Sequence, residues 1–66
     1  MIVNVNGEQR DVASDITVAQ LLENLGIGAG RVAVELNMQV IARGEYTDTH
    51  LKAGDRVEIV HFVGGG

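Results

Sequence analysis

The 66-residue chain has no cysteine and no tryptophan, and only one phenylalanine and one tyrosine. Without cysteine it forms no disulfide and offers no thiolate to a metal. Its two histidines, His50 and His61, lie apart and stand in no His/Asp/Glu cluster with metal-ligand spacing. One Phe and one Tyr make no aromatic platform on which bases stack. Basic residues are also scarce: five Lys and Arg against nine Asp and Glu leave a formal charge of -4. Nucleic acid, whose phosphates need a basic stripe, is therefore not the expected partner. An acidic domain is steered instead toward a basic patch on another protein. No apolar run approaches the length that crosses a membrane, and no basic-then-apolar leader opens the chain, so a cytoplasmic location is expected.

A chain this short makes one small domain, and domains of about 60 residues bury only about 60% of their unfolded surface. With no staple available, the core has to come from aliphatic packing. Val, Leu, Ile and Ala supply nearly all of the apolar content.

Met1, Val3 and Val5 alternate with polar or outward positions, the pattern of a half-buried strand. Asn6-Gly7 then marks a tight hairpin, since both residues accept positive φ. The return strand is expected over residues 9–13, with Val12 as its one core residue and its register open. Thr17 with Gln20 forms a capping box, and Ile16 with Leu21 has the spacing of a hydrophobic staple. Val18, Leu21, Leu22 and Leu25 fall on one helical stripe. Gly26 suits the left-handed end of that helix, with Ile27 packing back toward Leu22.

The stretch Gly26-Ile27-Gly28-Ala29-Gly30-Arg31 imitates a phosphate loop in composition only. Phosphate loops follow a strand and open a helix; here a helix precedes and a strand follows. It is expected to be a flexible connector. Val32, Val34 and Leu36 alternate as a third strand, a turn at Asn37-Met38-Gln39 leads to a short strand over residues 40–42, and Arg43-Gly44-Glu45-Tyr46 is a helical turn or loop. Leu51 is an isolated apolar anchor before a turn at Lys52-Ala53-Gly54-Asp55. The last strand is expected over residues 56–62. It places Val57 and Ile59 on one face and Glu58, Val60 and Phe62 on the other. One amphipathic helix covering one face of a mixed sheet satisfies both elements, which makes the fold α+β.

The chain closes with Val63-Gly64-Gly65-Gly66. Glycines without Cβ can thread a narrow slot on another protein and present a terminal carboxylate there. Glycine-rich ends also serve as plain linkers. On the body just described, the first of these uses gains weight. Val3-Asn4-Val5-Asn6-Gly7-Glu8, Thr17-Val18-Ala19-Gln20-Leu21-Leu22, Arg31-Val32-Ala33-Val34-Glu35-Leu36-Asn37, Arg43-Gly44-Glu45-Tyr46, the run from Leu51 to Val60 and the glycine tail together resemble the ThiS family. These are the sulfur carriers of thiamine biosynthesis. Two departures are mild: Met38 stands where the family often has glycine, and there are three terminal glycines where two suffice.

The resemblance implies a ubiquitin-like β-grasp with about five strands packed on one main helix, the first and last strands adjacent at its centre. It implies a body over residues 1–63 and a flexible tail over residues 64–66. It also implies a job. A ThiF-like activating enzyme uses ATP to adenylate the carboxylate of Gly66. Sulfur from a persulfide donor, such as a cysteine desulfurase, then displaces AMP to leave a thiocarboxylate. A ThiG-like thiazole synthase takes that sulfur. Gly64 and Gly65 would thread into the partner, while Val60, Phe62 and Glu58 would form part of the docking surface. A chain without cysteine holds no sulfur as its own persulfide, which leaves the main-chain terminus.

No bound cofactor is implied, and ATP belongs to the activating enzyme. His61 is a candidate acid or base by residue type alone. However, it alternates with Val57 and Ile59 toward the core edge or solvent rim, and no nucleophile–base–orienter set surrounds it. A protein co-substrate is therefore expected, with no catalysis of its own. The rival readings are the small subunit of molybdopterin synthase, which shares the fold and the Gly-Gly end, and a protein-conjugating modifier. A β-grasp binding module without terminal chemistry is a third, and it alone predicts that deleting Gly65 and Gly66 changes nothing.

Overall fold

The computed structural model describes residues 1–62. Five strands form one sheet: β1 (Ile2–Val5), β2 (Glu8–Asp11), β3 (Val32–Leu36), β4 (Gln39–Ile41) and β5 (Arg56–His61). Their order is β2-β1-β5-β3-β4, with β1 and β5 parallel and the other neighbours antiparallel. β5, the last strand, is thus the central one and lies beside the first.

The single α-helix, α1 (Val18–Asn24), is closed at both ends by the chemistry its sequence carries. Thr17 Oγ1 accepts from the Gln20 N–H at 3.1 Å, and Gln20 Oε1 accepts from the Thr17 N–H at 2.9 Å. Two further N-terminal donors, Val18 and Ala19, reach the carbonyls of Thr49 and Tyr46. At the other end Gly26 has φ +71°, Gly26 N–H donates to Glu23 O and Ile27 N–H to Leu22 O, the paired bonds of a Schellman end. A seven-residue helix is not stable alone, so its buried face must hold it. Val18, Leu21 and Leu22 pack with Val3, Val5, Val32, Val34, Val57 and Ile59 from the sheet, joined by Ile16, Tyr46 and Leu51. Each such side chain contributes roughly 1.5–3 kcal/mol on burial.

Several boundaries differ from the sequence-based expectation. β2 runs Glu8–Asp11 and is exposed throughout. Val12 lies past its end, only partly buried, tied by N–H to the Met1 carbonyl at 2.8 Å. An edge strand with no buried face leaves no apolar alternation by which to locate it. β4 begins one residue early, at Gln39, because a two-residue turn, Asn37-Met38, suffices. β5 ends at His61, one residue short. The glycine-rich connector holds a 3₁₀ turn, Ala29–Arg31, closed by Arg31 N–H on the Gly28 carbonyl. The helical turn expected over residues 43–46 is present as the 3₁₀ turn Arg43–Glu45 with Tyr46 at its end, but Tyr46 is 4% exposed and belongs to the core. The hydrogen bonds from the start of α1 to Tyr46 and Thr49, and from Leu51 to Ile16, stitch that connector under the helix.

Both hairpin turns use positive φ at their two central residues: Asn6 (+50°) with Gly7 (+84°), and Asn37 (+50°) with Met38 (+72°). Asn-Gly suits this geometry, whereas a methionine there carries a Cβ penalty of about 1–2 kcal/mol. Glycine gives back part of that gain through its larger unfolded-state entropy. Met38 is 84% exposed, so no packing opposes the change. Met38→Gly is expected to raise the melting temperature by roughly 3–6 °C, read by thermal unfolding; a fall would show that the methionine side chain contributes something its exposure hides.

Candidate functional site

α1 covers one face of the sheet and leaves the other open. Strand alternation sends Glu58 and Val60 of β5 to that open face, with Phe62 just past the strand end. Val60 is 53% exposed and Phe62 61%, so neither is spent on packing within the body. The Phe62 N–H still donates to the Arg31 carbonyl at 3.0 Å, which holds its backbone against the start of β3. Phe62 does not pack beneath the Tyr46 connector, because Tyr46 points into the helix-side core.

Register brings further residues beside them. Val60 lies opposite Ala33, and Glu58 lies opposite Glu35. Glu35 in turn lies opposite Val40 of β4, which is 75% exposed. The open face therefore reads, moving away from the end of β5, as Phe62, then Val60 with Ala33, then a cross-strand row of Glu58, Glu35 and Val40. Like charges directly opposite on neighbouring strands destabilise a sheet. Among the described residues neither carboxylate is in an ion pair. A guanidinium or ammonium arriving from outside would relieve that repulsion, and the apolar side chains flanking it would exclude water.

Of the sequence-derived site residues, Glu58, Val60 and Phe62 are thus brought to one surface next to the departure point of the tail. Gly64, Gly65 and Gly66 lie outside the described residues. Val40 and Glu35 were not legible as members of the surface, since only strand register places them there. The two-residue turn Asn37-Met38 fixes the register of β3 with β4 and so sets Val40 opposite Glu35, whereas the pairing of Glu35 with Glu58 has no such local signal. His61 is exposed at the rim. His50 sits elsewhere, its Nδ1 2.9 Å from the Asp15 carbonyl oxygen and 3.1 Å from Asp15 Oδ1. Among the described residues no group of three His, Cys, Asp or Glu is placed to hold a metal ion, and no helix is long and apolar enough to cross a membrane.

Comparison with known proteins adds a second line. The model of the ThiS family matches residues 3–66. The sulfur carrier protein ThiS of Bacillus subtilis is 35% identical over 66 residues, covering 98% of this chain and 100% of the relative. A thiazole synthase of Paramagnetospirillum magneticum is 40% identical over 62 residues, covering 94% of this chain but 19% of that protein. The chain thus spans about a fifth of the length of the thiazole synthases it matches. The crystal structure of the thiamine biosynthesis protein ThiS from Geobacter metallireducens superposes with a TM-score of 0.87 at 40% identity, covering all of both chains.

Proposed function

This chain belongs to the ThiS family, which makes it a small sulfur carrier of thiamine biosynthesis, and we propose that it carries sulfur on the carboxylate of Gly66. A carboxylate is a poor electrophile. Attack of its oxygen on the α-phosphorus of ATP, with loss of pyrophosphate, gives an acyl-adenylate whose AMP is a good leaving group. The outer sulfur of a partner's persulfide then attacks the carbonyl carbon and AMP departs. A thiol cleaves the resulting acyl disulfide, leaving a disulfide on the donor side and a thiocarboxylate on Gly66. That anion is the nucleophile handed to the next enzyme.

The observation that carries this reading is the open face of β5. It ends at Phe62, and the four residues beyond span at most about 14 Å, so a partner docked on Val60 and Phe62 has its reaction centre within that reach. The body supplies recognition and the glycines supply access. We infer two partners. A ThiF-like adenylating enzyme would present a basic side chain to Glu58 and Glu35 and an apolar pocket to Val60 and Phe62. A thiazole synthase is the second, and the relatives in which a segment like this chain occupies a fifth of a thiazole synthase support it. A persulfide donor of cysteine desulfurase type completes the set. We infer a cytoplasmic location, where ATP and thiols are at hand for this chemistry. The body over residues 1–63 and the tail over residues 64–66 are, on this reading, separate functional parts.

Intact mass spectrometry of the protein from cells starved of thiamine is the test. A fraction heavier by the exchange of one oxygen for sulfur, confined to the C-terminal peptide, is expected. Complete absence of that species, with the parent mass alone, overturns the proposal. Rescue of a molybdopterin defect but not a thiamine defect would assign the sulfur to the molybdopterin route instead.

A further inference from the structure

β1 stops pairing as a strand at Val5, yet its support of β5 reaches further. In the parallel ladder Asn4 aligns with Arg56 and Val5 with Val57. Asn4 N–H donates to the Asp55 carbonyl and Asn6 N–H to the Val57 carbonyl, both at 2.9 Å. The next rung should come from main-chain groups of β1, but the chain reverses at Asn6, whose φ is +50°. The Asn6 carboxamide stands in for them. Ile59 N–H donates to Asn6 Oδ1 at 2.7 Å, and Asn6 Nδ2 donates to the Ile59 carbonyl at 3.2 Å. A primary amide has the donor and acceptor of a peptide group, so one side chain adds both halves of a rung. Past Ile59, the described contacts of the β5 backbone come from the other side, through Val32 opposite His61 and Phe62 N–H on the Arg31 carbonyl.

We propose that Asn6 is a positioning residue for the carrier's departing segment. Its two hydrogen bonds splint β5 at Ile59, so that Val60, Phe62 and the chain beyond them meet a partner in one geometry. This rests on the docking reading given above. The residue type is demanded twice over: asparagine tolerates the left-handed conformation of the turn, and it alone at this length both accepts from and donates to one residue's backbone. Aspartate would keep the accepted bond and set a carboxylate oxygen against the Ile59 carbonyl.

Asn6→Gly isolates the effect, because glycine keeps the turn and removes only the carboxamide. Two measurements are made on the full chain at a temperature where every variant is folded. Amide hydrogen exchange at Phe62, whose N–H bonds to Arg31 and not to Asn6, is expected to quicken about tenfold. In adenylation by the ThiF-like enzyme, KM for the carrier is expected to rise about 5–10-fold with kcat within about twofold, since ordering is deferred to the encounter. Asn6→Asp should fall between parent and glycine variant, and serves in its place if the latter does not fold. A residue that merely stabilised the body would leave KM unmoved while the protein stays folded. Faster exchange at Ile59 alone, with KM unchanged, overturns the proposal. A parent chain that is never adenylated would sink the carrier reading instead, and the Phe62 exchange would still decide whether the splint exists.

Discussion

Gly65→Val should lower thiocarboxylate formation at least about 100-fold while shifting the melting temperature by less than about 2 °C. The proposed reaction needs the Gly66 carboxylate in line with the α-phosphorus of ATP, and then its carbonyl carbon within reach of a persulfide sulfur. Both centres belong to other proteins, so the last peptide unit has to be approached from several sides. A β-branched side chain adds three carbons next to that unit and restricts its backbone to fewer conformations. Displacing a reacting carboxylate by about 1 Å is enough to cost about 100-fold, which corresponds to under 3 kcal/mol of barrier. The core has no stake in the change on this reading, because among the described residues its buried members run from Val3 to Ile59. The measurement is adenylation and sulfur loading by mass spectrometry, alongside thermal unfolding. Gly64→Ala is the control. It sits one residue further from the reacting atom, where reach matters more than clearance, and it should lose less than about threefold. Equal losses at both positions would point to backbone flexibility of the tail as the requirement, with no narrow slot involved. No loss in the valine variant would remove the terminal carboxylate from the chemistry altogether.

What could be read from the sequence, and what could not, divides along the range of the interaction. Thr17 with Gln20, Gly26 with Ile27, and Asn6-Gly7 each act on backbone groups within a few residues of themselves. Their structures follow from their own chemistry, and the helix and the first hairpin turn are as their residues predict. β2 gave no such handle, because a strand exposed on both faces need not alternate. The burial of Tyr46 was not legible for a related reason. Nothing near it in sequence announces burial; the unpaired donors at the start of α1 draw the connector inward from more than twenty residues away. The proposed docking surface shows the same divide within itself. Val60, Phe62 and Glu58 could be named from alternation along one strand. Val40 and Glu35 reach the same surface through pairings between strands, of which only that of β3 with β4 has a local sign, the turn Asn37-Met38. The second role of Asn6 was hidden behind its first, since a turn signal explains the residue fully until Ile59 is seen beside it.

The double variant Val60→Ser/Phe62→Ser carries the other large effect: KM for the carrier in adenylation is expected to rise about 100-fold, with kcat changed less than about threefold. Apolar anchors at the centre of an interface cost about 2 kcal/mol or more when truncated, and an aromatic ring is the commonest of them. In the free protein the same side chains contribute little, being 53% and 61% exposed. The price of removing them should therefore appear on binding and not on folding, with a stability loss below about 1 kcal/mol. The split between KM and kcat separates this surface from the tail. On the proposed reading Val60 and Phe62 would hold the carrier on the enzyme while the reacting carboxylate lies beyond them, so a saturating concentration of carrier should restore turnover. Gly65→Val should behave in the opposite manner, losing kcat even at saturation. Electrostatics gives an independent check. If Glu58 and Glu35 meet a cation on the enzyme, raising the ionic strength weakens the parent's binding through screening. The double variant keeps both carboxylates and should retain that salt dependence, while Glu35→Gln/Glu58→Gln should lose it and gain slightly in thermal stability as the cross-strand repulsion disappears. A double serine variant with unchanged KM would show that the open face of β5 is not where the enzyme docks.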